Sequence, residues 1–194
     1  MRTLGKAALA ILSISLMLAA LDREFRAGPP DQYSHQENEK VVIGTEALEN
    51  ENATKPAFGK ADLNHYGILP ILVVIRNNRA QSLDLNGLDV KLTASGSHPV
   101  SPLEPQEVAK IAIPAKEPKI SVSPIPRRSK KNPLGGLEVV ERSFSARMLP
   151  PGEEASGFFY FRTKPQPGMR LLVNGIFERP SGKEILYFEI PLGD

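Results

Sequence analysis

Hydrophobic and polar positions divide the chain into three parts. Residues 7–18 form an apolar run that is interrupted only by Ser13 and Ser15. Residues 26–40 are polar and rich in Gly, Pro, Gln and Glu, a composition typical of a flexible linker. From residue 41 onward, short apolar runs alternate with turn residues, which is typical of β-strands. The pattern therefore predicts a signal peptide at residues 1–20, a linker at 21–40 and one β domain at 41–194.

The clearest predicted strand covers residues 68–75, which are nearly all apolar and end in β-branched side chains. Such a continuous run is expected for a central strand covered on both faces. Residues 158–161 predict a short aromatic strand that places two aromatic side chains on each face. Residues 171–177 and 186–192 predict a terminal hairpin. Asn77 and Asn78 predict a turn after the central strand.

Two further segments complete the predicted pattern. Residues 137–149 indicate regular structure in which Val140, Phe144, Ala146 and Met148 share one face, as on a strand. Residues 94–136 contain eight prolines, and Pro cannot donate to a strand ladder. We expect an irregular excursion there, in which only residues 107–113 form a short helix or an edge strand.

About seven short strands with regular turn signals predict an all-β fold, an immunoglobulin-like β-sandwich. The chain has no Trp and no Cys, so any relation is to the broad architecture and not to antibody domains. A small barrel is the alternative.

Two strings carry a resemblance to known proteins. Residues 58–63 read FGKADL and are followed by GILP at 67–70 and a strand ending in Asn77; residues 149–153 read LPPGE and are followed by GFFYF at 157–161. The chain resembles poorly characterised exported bacterial proteins with an immunoglobulin-like β-sandwich domain. The resemblance implies export and a sandwich fold, and it implies no activity and no functional residue.

The N-terminal run indicates export. It is preceded by Arg2 and Lys6, and it is shorter than the roughly 20 residues that span a bilayer. We expect cleavage after Ala20, with an uncleaved anchor as the alternative. Because the chain has no Cys, it carries no lipid-modified Cys, and a bacterial periplasm or cell surface fits it better than a disulfide-forming eukaryotic secretory route.

Charge is unevenly distributed along the predicted mature chain. Loss of Arg2 and Lys6 leaves that chain formally neutral, yet residues 110–131 hold seven basic residues and one acidic residue. This basic segment predicts docking on an anionic surface, either lipid headgroups, an acidic polysaccharide or an envelope protein. The alternative is a loop kept soluble by its charge. Nucleic acid is not expected, because no aromatic residue lies among these charges. The predicted docking residues are Lys116, Lys119, Arg127, Arg128, Lys130 and Lys131.

Catalytic motifs are missing from the sequence. It contains no H-E-x-x-H, G-x-S-x-G, C-x-x-C or glycine-rich phosphate loop. We therefore expect a non-enzymatic module of the cell envelope that needs no cofactor and is peripheral to the membrane, or anchored if the signal is uncleaved. One rival is a hydrolase or metal-dependent enzyme centred on Asp62 and His65, whose spacing can converge on a metal. Another is a carrier of an apolar ligand such as a lipid. His35 and His98 are expected to be solvated.

Overall fold

We describe the protein from a computed structural model. The structure describes residues 25–59, 61–94, 98–112, 134–185 and 187–193. The predicted signal peptide and most of the basic segment lie outside these residues. No helix within the described ranges is both long enough and apolar enough to span a lipid bilayer.

Ten strands and three helices make up the regular structure of the described residues. The strands are β1 (Ser34–Asn38), β2 (Val41–Ala47), β3 (Leu69–Asn77), β4 (Leu83–Asp84), β5 (Asp89–Thr93), β6 (Met148–Leu149), β7 (Glu154–Phe161), β8 (Arg170–Asn174), β9 (Phe177–Glu178) and β10 (Phe188–Pro191). The helices are α1 (Glu51–Phe58), α2 (Pro105–Ala112) and α3 (Leu134–Glu141), and 3₁₀ turns cover Pro30–Gln32 and Asn64–Tyr66.

The strands form a β-sandwich, which confirms the predicted all-β sandwich. The main sheet has the order β1-β2-β3-β7, and all its pairs are antiparallel. A second sheet, β10-β8-β5, and a small sheet, β6-β4-β9, contribute buried residues to the same core. The strand number exceeds the predicted seven because β4, β6 and β9 are only two residues long. The antiparallel pairing of the predicted terminal hairpin is confirmed as the β8–β10 pair, in which Val173 lies opposite Phe188. The first predicted strand is shorter than expected, because Phe177 belongs to β9 in the small sheet.

Strand β3 is buried on both faces, as its apolar sequence predicts. Leu69, Ile71, Val73 and Ile75 point into the sandwich core. Leu72 and Val74 point the opposite way, into a second core. Because successive side chains of a strand alternate between faces, β3 ties the two cores together.

Helices cover the second core. Phe58 of α1, Val108 of α2 and Val139 of α3 are fully buried there together with Phe158 and Tyr160 of β7. The strand-like pattern predicted for residues 137–149 is therefore wrong over its first part, which is helical as far as Glu141. The short apolar segment is helical because its Val139 packs on the sheet, and tertiary contacts of this kind override local propensity. Of the two alternatives for residues 107–113, the helix is confirmed over 107–112, which lie in α2, and Ile113 lies outside the described residues.

The linker predicted for residues 21–40 is wrong over residues 34–38, and residues 21–24 lie outside the described residues. Residues 34–38 form β1 and pair with β2 throughout, from Ser34 opposite Thr45 to Asn38 opposite Val41. Just before β1, Asp31 makes a bidentate ion pair with Arg76 of β3 at 2.6 and 2.9 Å. The segment is polar because it forms an edge strand and buries few side chains, but it belongs to the domain.

Polar side chains of β1 also close the sandwich along one edge. The hydroxyl of Ser34 donates to the carbonyl of Pro191 at 2.7 Å, and the amide of Asn38 donates to the carbonyl of Tyr187 at 3.0 Å. Between them, Gln36 accepts the N–H of Glu189 at 2.7 Å. These alternate residues of β1 satisfy backbone groups along β10, which would otherwise be an open sheet edge.

Candidate functional site

The structure shows how the basic segment is attached to the domain. The predicted docking residues Lys116, Lys119, Arg127, Arg128, Lys130 and Lys131 all lie outside the described residues. The described chain stops at Ala112, the last residue of α2, and resumes at Leu134, the first residue of α3. Both helices pack on the second core, and we call them the helix pair. The two attachment points of the basic segment are therefore on the same layer of the domain.

Tyr160 of β7 holds the helix pair on the sheet. Its hydroxyl donates to the carbonyl of Val139 in α3 at 2.7 Å, and its own carbonyl accepts the N–H of Leu103, just before α2, at 2.7 Å. Burial raises the pKa of the Tyr160 phenol, so the hydroxyl stays protonated and remains a donor. The ring also packs near Phe58 of α1, with 6.0 Å between ring centroids.

We expect Tyr160→Phe to loosen the helix pair. The change removes the donor and leaves the carbonyl of Val139 without its buried partner, at a cost of about 1–3 kcal/mol. Urea unfolding would measure the loss, and hydrogen exchange should show faster amide exchange in α3. Tyr187→Phe is the matched control, since Tyr187 is 62% exposed, and it should change neither quantity. Equal effects of the two substitutions would contradict this role of Tyr160.

Asp62 and His65 come together through the backbone. The carboxylate of Asp62 accepts the backbone N–H of His65 at 3.1 Å and so begins the 3₁₀ turn Asn64–Tyr66. The imidazole of His65 is exposed and packs edge-on against Tyr66, with 5.2 Å between ring centroids. Among the residues that the structure describes, no three His, Cys, Asp or Glu side chains are grouped to hold a metal. The Asp62 carboxylate thus has a local turn-forming role.

The other two histidines are both exposed. His35 lies in β1, not in a linker, and its Nδ1 is 2.9 Å from the carbonyl oxygen of Tyr33. His98 lies outside regular structure, two residues before the bridge between Val100 and Leu92.

A surface pocket of about 400 Å³ lies beside the start of α1. Its lining includes the acidic residues Glu46 and Glu49 and the small residues Ala47, Ala53 and Gly193. The remaining lining is polar or aromatic: Gln32, Tyr33, Ser34, Thr45 and Asn50. Asn50 is engaged in capping α1, because its side chain accepts the N–H of Ala53 at 3.1 Å. The lining is suited to water and small polar molecules more than to an apolar ligand.

A charged cluster lies at the turn between β1 and β2. Arg79 donates to the carbonyl of Glu39 at 2.7 Å and forms an ion pair with the carboxylate of Glu178. Lys183 approaches the carboxylate of Glu39 at 2.6 Å. We call Glu39, Arg79, Glu178 and Lys183 the turn cluster. The sequence gives no signal for this cluster, because its members are far apart in the chain and no local motif joins them.

The turn cluster affects the titration of its carboxylates. The hydrogen bond from Lys183 lowers the pKa of Glu39, and the hydrogen bond from Arg79 lowers the pKa of Glu178. A carboxyl whose pKa is lower in the folded state adds stability above its unfolded pKa and loses that contribution as the pH falls through the folded value. The cluster therefore holds the turn at neutral pH and weakens in acid.

Comparison with known proteins gives weak structural likenesses. No protein-family model matches the sequence, and no curated protein matches it either. A Bacillus subtilis protein named as a lipoprotein, YcdA, has a similar structure with a TM-score of 0.41 and 11% identity over 82% of this chain. A secreted Mycobacterium tuberculosis protein, MPT63, has a TM-score of 0.34 and 14% identity over 87% of this chain. The match covers 38% of YcdA and 99% of MPT63. The fold assignment rests on the sheets and cores described above.

Proposed function

We propose that the protein is a non-enzymatic module of the bacterial cell envelope that docks on an anionic surface through its basic segment, residues 110–131. The observation that carries this proposal is the charge of the segment, seven basic residues against one acidic residue. Its attachment supports the proposal further, because the described residues that flank the segment, Ala112 and Leu134, both belong to the helix pair and so join it to one layer of the domain.

Charge separation makes the proposed docking directional. The predicted mature chain is neutral overall, so the rest of the domain carries a net negative charge that balances the basic segment. An anionic surface attracts the segment and repels the remainder of the domain, which favours one orientation. Such an interaction is screened by salt, with a Debye length of about 8 Å at physiological ionic strength.

The same proposal includes export and an immunoglobulin-like type of sandwich. Export is supported by the positively charged start and short apolar run of residues 1–20. The lack of Cys favours a bacterial periplasm or cell surface over a disulfide-forming eukaryotic route. On this proposal the module needs no cofactor. It is peripheral to the membrane, or anchored to it if the N-terminal run is retained.

Charge reversal tests the docking. Arg127→Glu, Arg128→Glu, Lys130→Glu and Lys131→Glu together should weaken binding to vesicles that contain anionic lipid. Each basic residue near such a surface contributes about 1 kcal/mol, so we expect at least about a hundredfold weaker binding at low salt. Parallel assays with neutral vesicles, an acidic polysaccharide and a pull-down from envelope extract distinguish lipid, glycan and protein partners.

The matched control reverses four basic residues elsewhere on the described surface. Suitable positions are Lys55, Lys91, Arg147 and Lys164. This variant has the same net charge as the test variant, so any general effect of charge appears in both. Equal binding by the two variants on every surface tested would rule out the basic segment as the docking element.

A further inference from the structure

The turn between β1 and β2 has an unusual sequence for its shape. Asn38 and Val41 close a hairpin whose two loop residues, Glu39 and Lys40, have φ angles of 46° and 65°. Two positive φ values define the type I′ turn, for which Asn-Gly is strongly favoured. Left-handed backbone is unfavourable for residues with long side chains, so the turn is strained at two successive positions.

We propose that this turn is a hinge and that two copies of the chain exchange residues 25–38, which we call the N-terminal arm. In the exchanged dimer, the hinge straightens and β1 of each copy pairs with β2 of the other. Short strained hinges are known to favour this kind of swap. The place of β1 in each domain is then taken by β1 of a second copy of this chain.

Straightening the hinge creates a favourable pairing in place of an unfavourable turn. The hairpin register places Asn38 opposite Val41, and continuing it between two copies places Glu39 opposite the partner's Lys40. The two-fold symmetry of the pair repeats this contact with the roles reversed. Opposite charges directly across antiparallel strands are stabilising, whereas the same two residues are poor in a type I′ turn. The hinge sequence is thus self-complementary in the extended form.

The neighbouring backbone is already aligned for an extended hinge. The carbonyl of Lys40 accepts the N–H of Asn78 at 2.9 Å, which continues the β2–β3 ladder one residue past Val41 and Asn77. Extension of β2 into the hinge therefore keeps the backbone pairing with the strand beside it.

The arm makes specific contacts that the partner's arm can repeat. Phe25 packs on Phe158 with 5.3 Å between ring centroids, and Asp31 pairs with Arg76. Gly44 of β2 lies so close to Pro30 that a Cβ at that position would be 2.4 Å from the carbonyl oxygen of Pro30. Since the two copies are identical, exchange preserves all of these contacts. The balance between the closed and exchanged forms therefore depends on the hinge.

The turn cluster opposes the exchange. Arg79 and Lys183 hold Glu39 in the closed turn through its carbonyl and its carboxylate. We expect the closed monomer to prevail at low concentration and the exchanged dimer to form when the chain refolds at high concentration. Once formed, the dimer should dissociate slowly, because the arm must leave the partner's sheet.

Two hinge variants of the full-length protein test the proposal. Glu39→Asn with Lys40→Gly supplies the preferred turn and should give a lower dimer fraction after refolding than the second variant, because both lose the Glu39 carboxylate that Lys183 contacts and differ in turn preference. Glu39→Thr with Lys40→Thr supplies β-branched residues that favour extended backbone, and it should raise the dimer fraction. We expect the dissociation constants of these variants to differ by at least about tenfold, equal to about 1.4 kcal/mol. Light scattering after gel filtration measures the dimer fraction.

A disulfide trap distinguishes exchange from ordinary association. Glu37 and Val42 are opposite each other in β1 and β2, and the chain has no native Cys. In the variant Glu37→Cys with Val42→Cys, oxidation should give a covalent dimer from the exchanged form and an internal disulfide from the monomer. Interchain disulfides in the dimer fraction support the proposal. A dimer that holds only internal disulfides overturns it, and so does a Thr-Thr variant that remains monomeric at high concentration.

Discussion

Replacing Phe158 by Ala is expected to lower the free energy of unfolding by about 3–5 kcal/mol. Phe158 is only 2% exposed and lies at the centre of the second core. Its ring meets Phe58 of α1 edge-on with 4.8 Å between centroids, and it meets Phe25 of the N-terminal arm at 5.3 Å. Truncation opens a cavity below both, so the helical layer and the arm should loosen together.

Phe159→Ala is the matched control on the same strand. Phe159 points to the opposite face, is half-buried and stacks on Phe144 with 5.4 Å between centroids. Its truncation removes less buried contact and should cost clearly less than that of Phe158. Urea unfolding of both variants measures the difference. Similar losses at the two positions would contradict the larger contribution assigned to Phe158 in the second core.

Phe158 and Phe159 also show how much structure can be predicted from a run of aromatic residues in the sequence. Four successive aromatic residues in a strand must place two on each face, and Phe158 and Tyr160 do lie in one core while Phe161 lies in the other. The sequence does not indicate that helices cover the face of β7 that points away from the sandwich core. That cover is supplied by α2 and α3, which are only eight residues long each, so their apolar spacing is too short to distinguish a helix from a strand.

The sequence predicts a linker where β1 lies, because hydrophobic periodicity reports the burial of side chains and not the hydrogen bonding of the backbone. Ser34, Gln36 and Asn38 bury little apolar surface, yet their side chains bond to β10 and their backbone pairs with β2. An edge strand held in this way has the composition of a solvated segment. Its pairing partner could not be read from residues 26–40 alone.

The two kinds of charged feature differ in how well sequence predicts them. The basic segment is continuous in sequence, so its charge is visible without a structure. The turn cluster joins Glu39, Arg79, Glu178 and Lys183 across most of the domain, and only the fold brings them together. Local patterns predict local electrostatics, whereas ion pairs between distant strands require the topology.

Asn77 shows the same limit at a single residue. The sequence predicts a turn at Asn77 and Asn78, and β3 does end there. Asn77, however, is fully buried, and its amide donates to the carbonyls of Gln81 at 2.9 Å and Leu149 at 3.0 Å. Its side-chain oxygen accepts the N–H of Arg79 at 3.0 Å. One side chain thus joins the end of β3, the strand β6 and the arginine of the turn cluster.

We therefore expect Asn77→Ala to cost about 2–4 kcal/mol of unfolding free energy, because it leaves two or more buried polar groups without partners at about 1–3 kcal/mol each, partly relieved by relaxation. Asn78 is exposed, and Asn78→Ala should change stability by less than about 0.5 kcal/mol. Asn77→Asp keeps the acceptor for Arg79 but replaces the donating amide with an oxygen facing two carbonyls, so it should be at least as destabilising as Ala.

These three variants separate the two roles of Asn77. If its contacts to Gln81 and Leu149 dominate, Ala and Asp lose similar stability in urea unfolding. If positioning of Arg79 dominates, Asp retains most of the stability and Ala does not. We expect the first result. Both variants lose the two N–H donors of the Asn77 amide, whereas only the Ala variant also loses the oxygen that accepts from Arg79. Loss of Asn77 should also free Arg79 from its backbone anchor and weaken its hold on Glu39, so hydrogen exchange at the β1–β2 turn should become faster in the Ala variant.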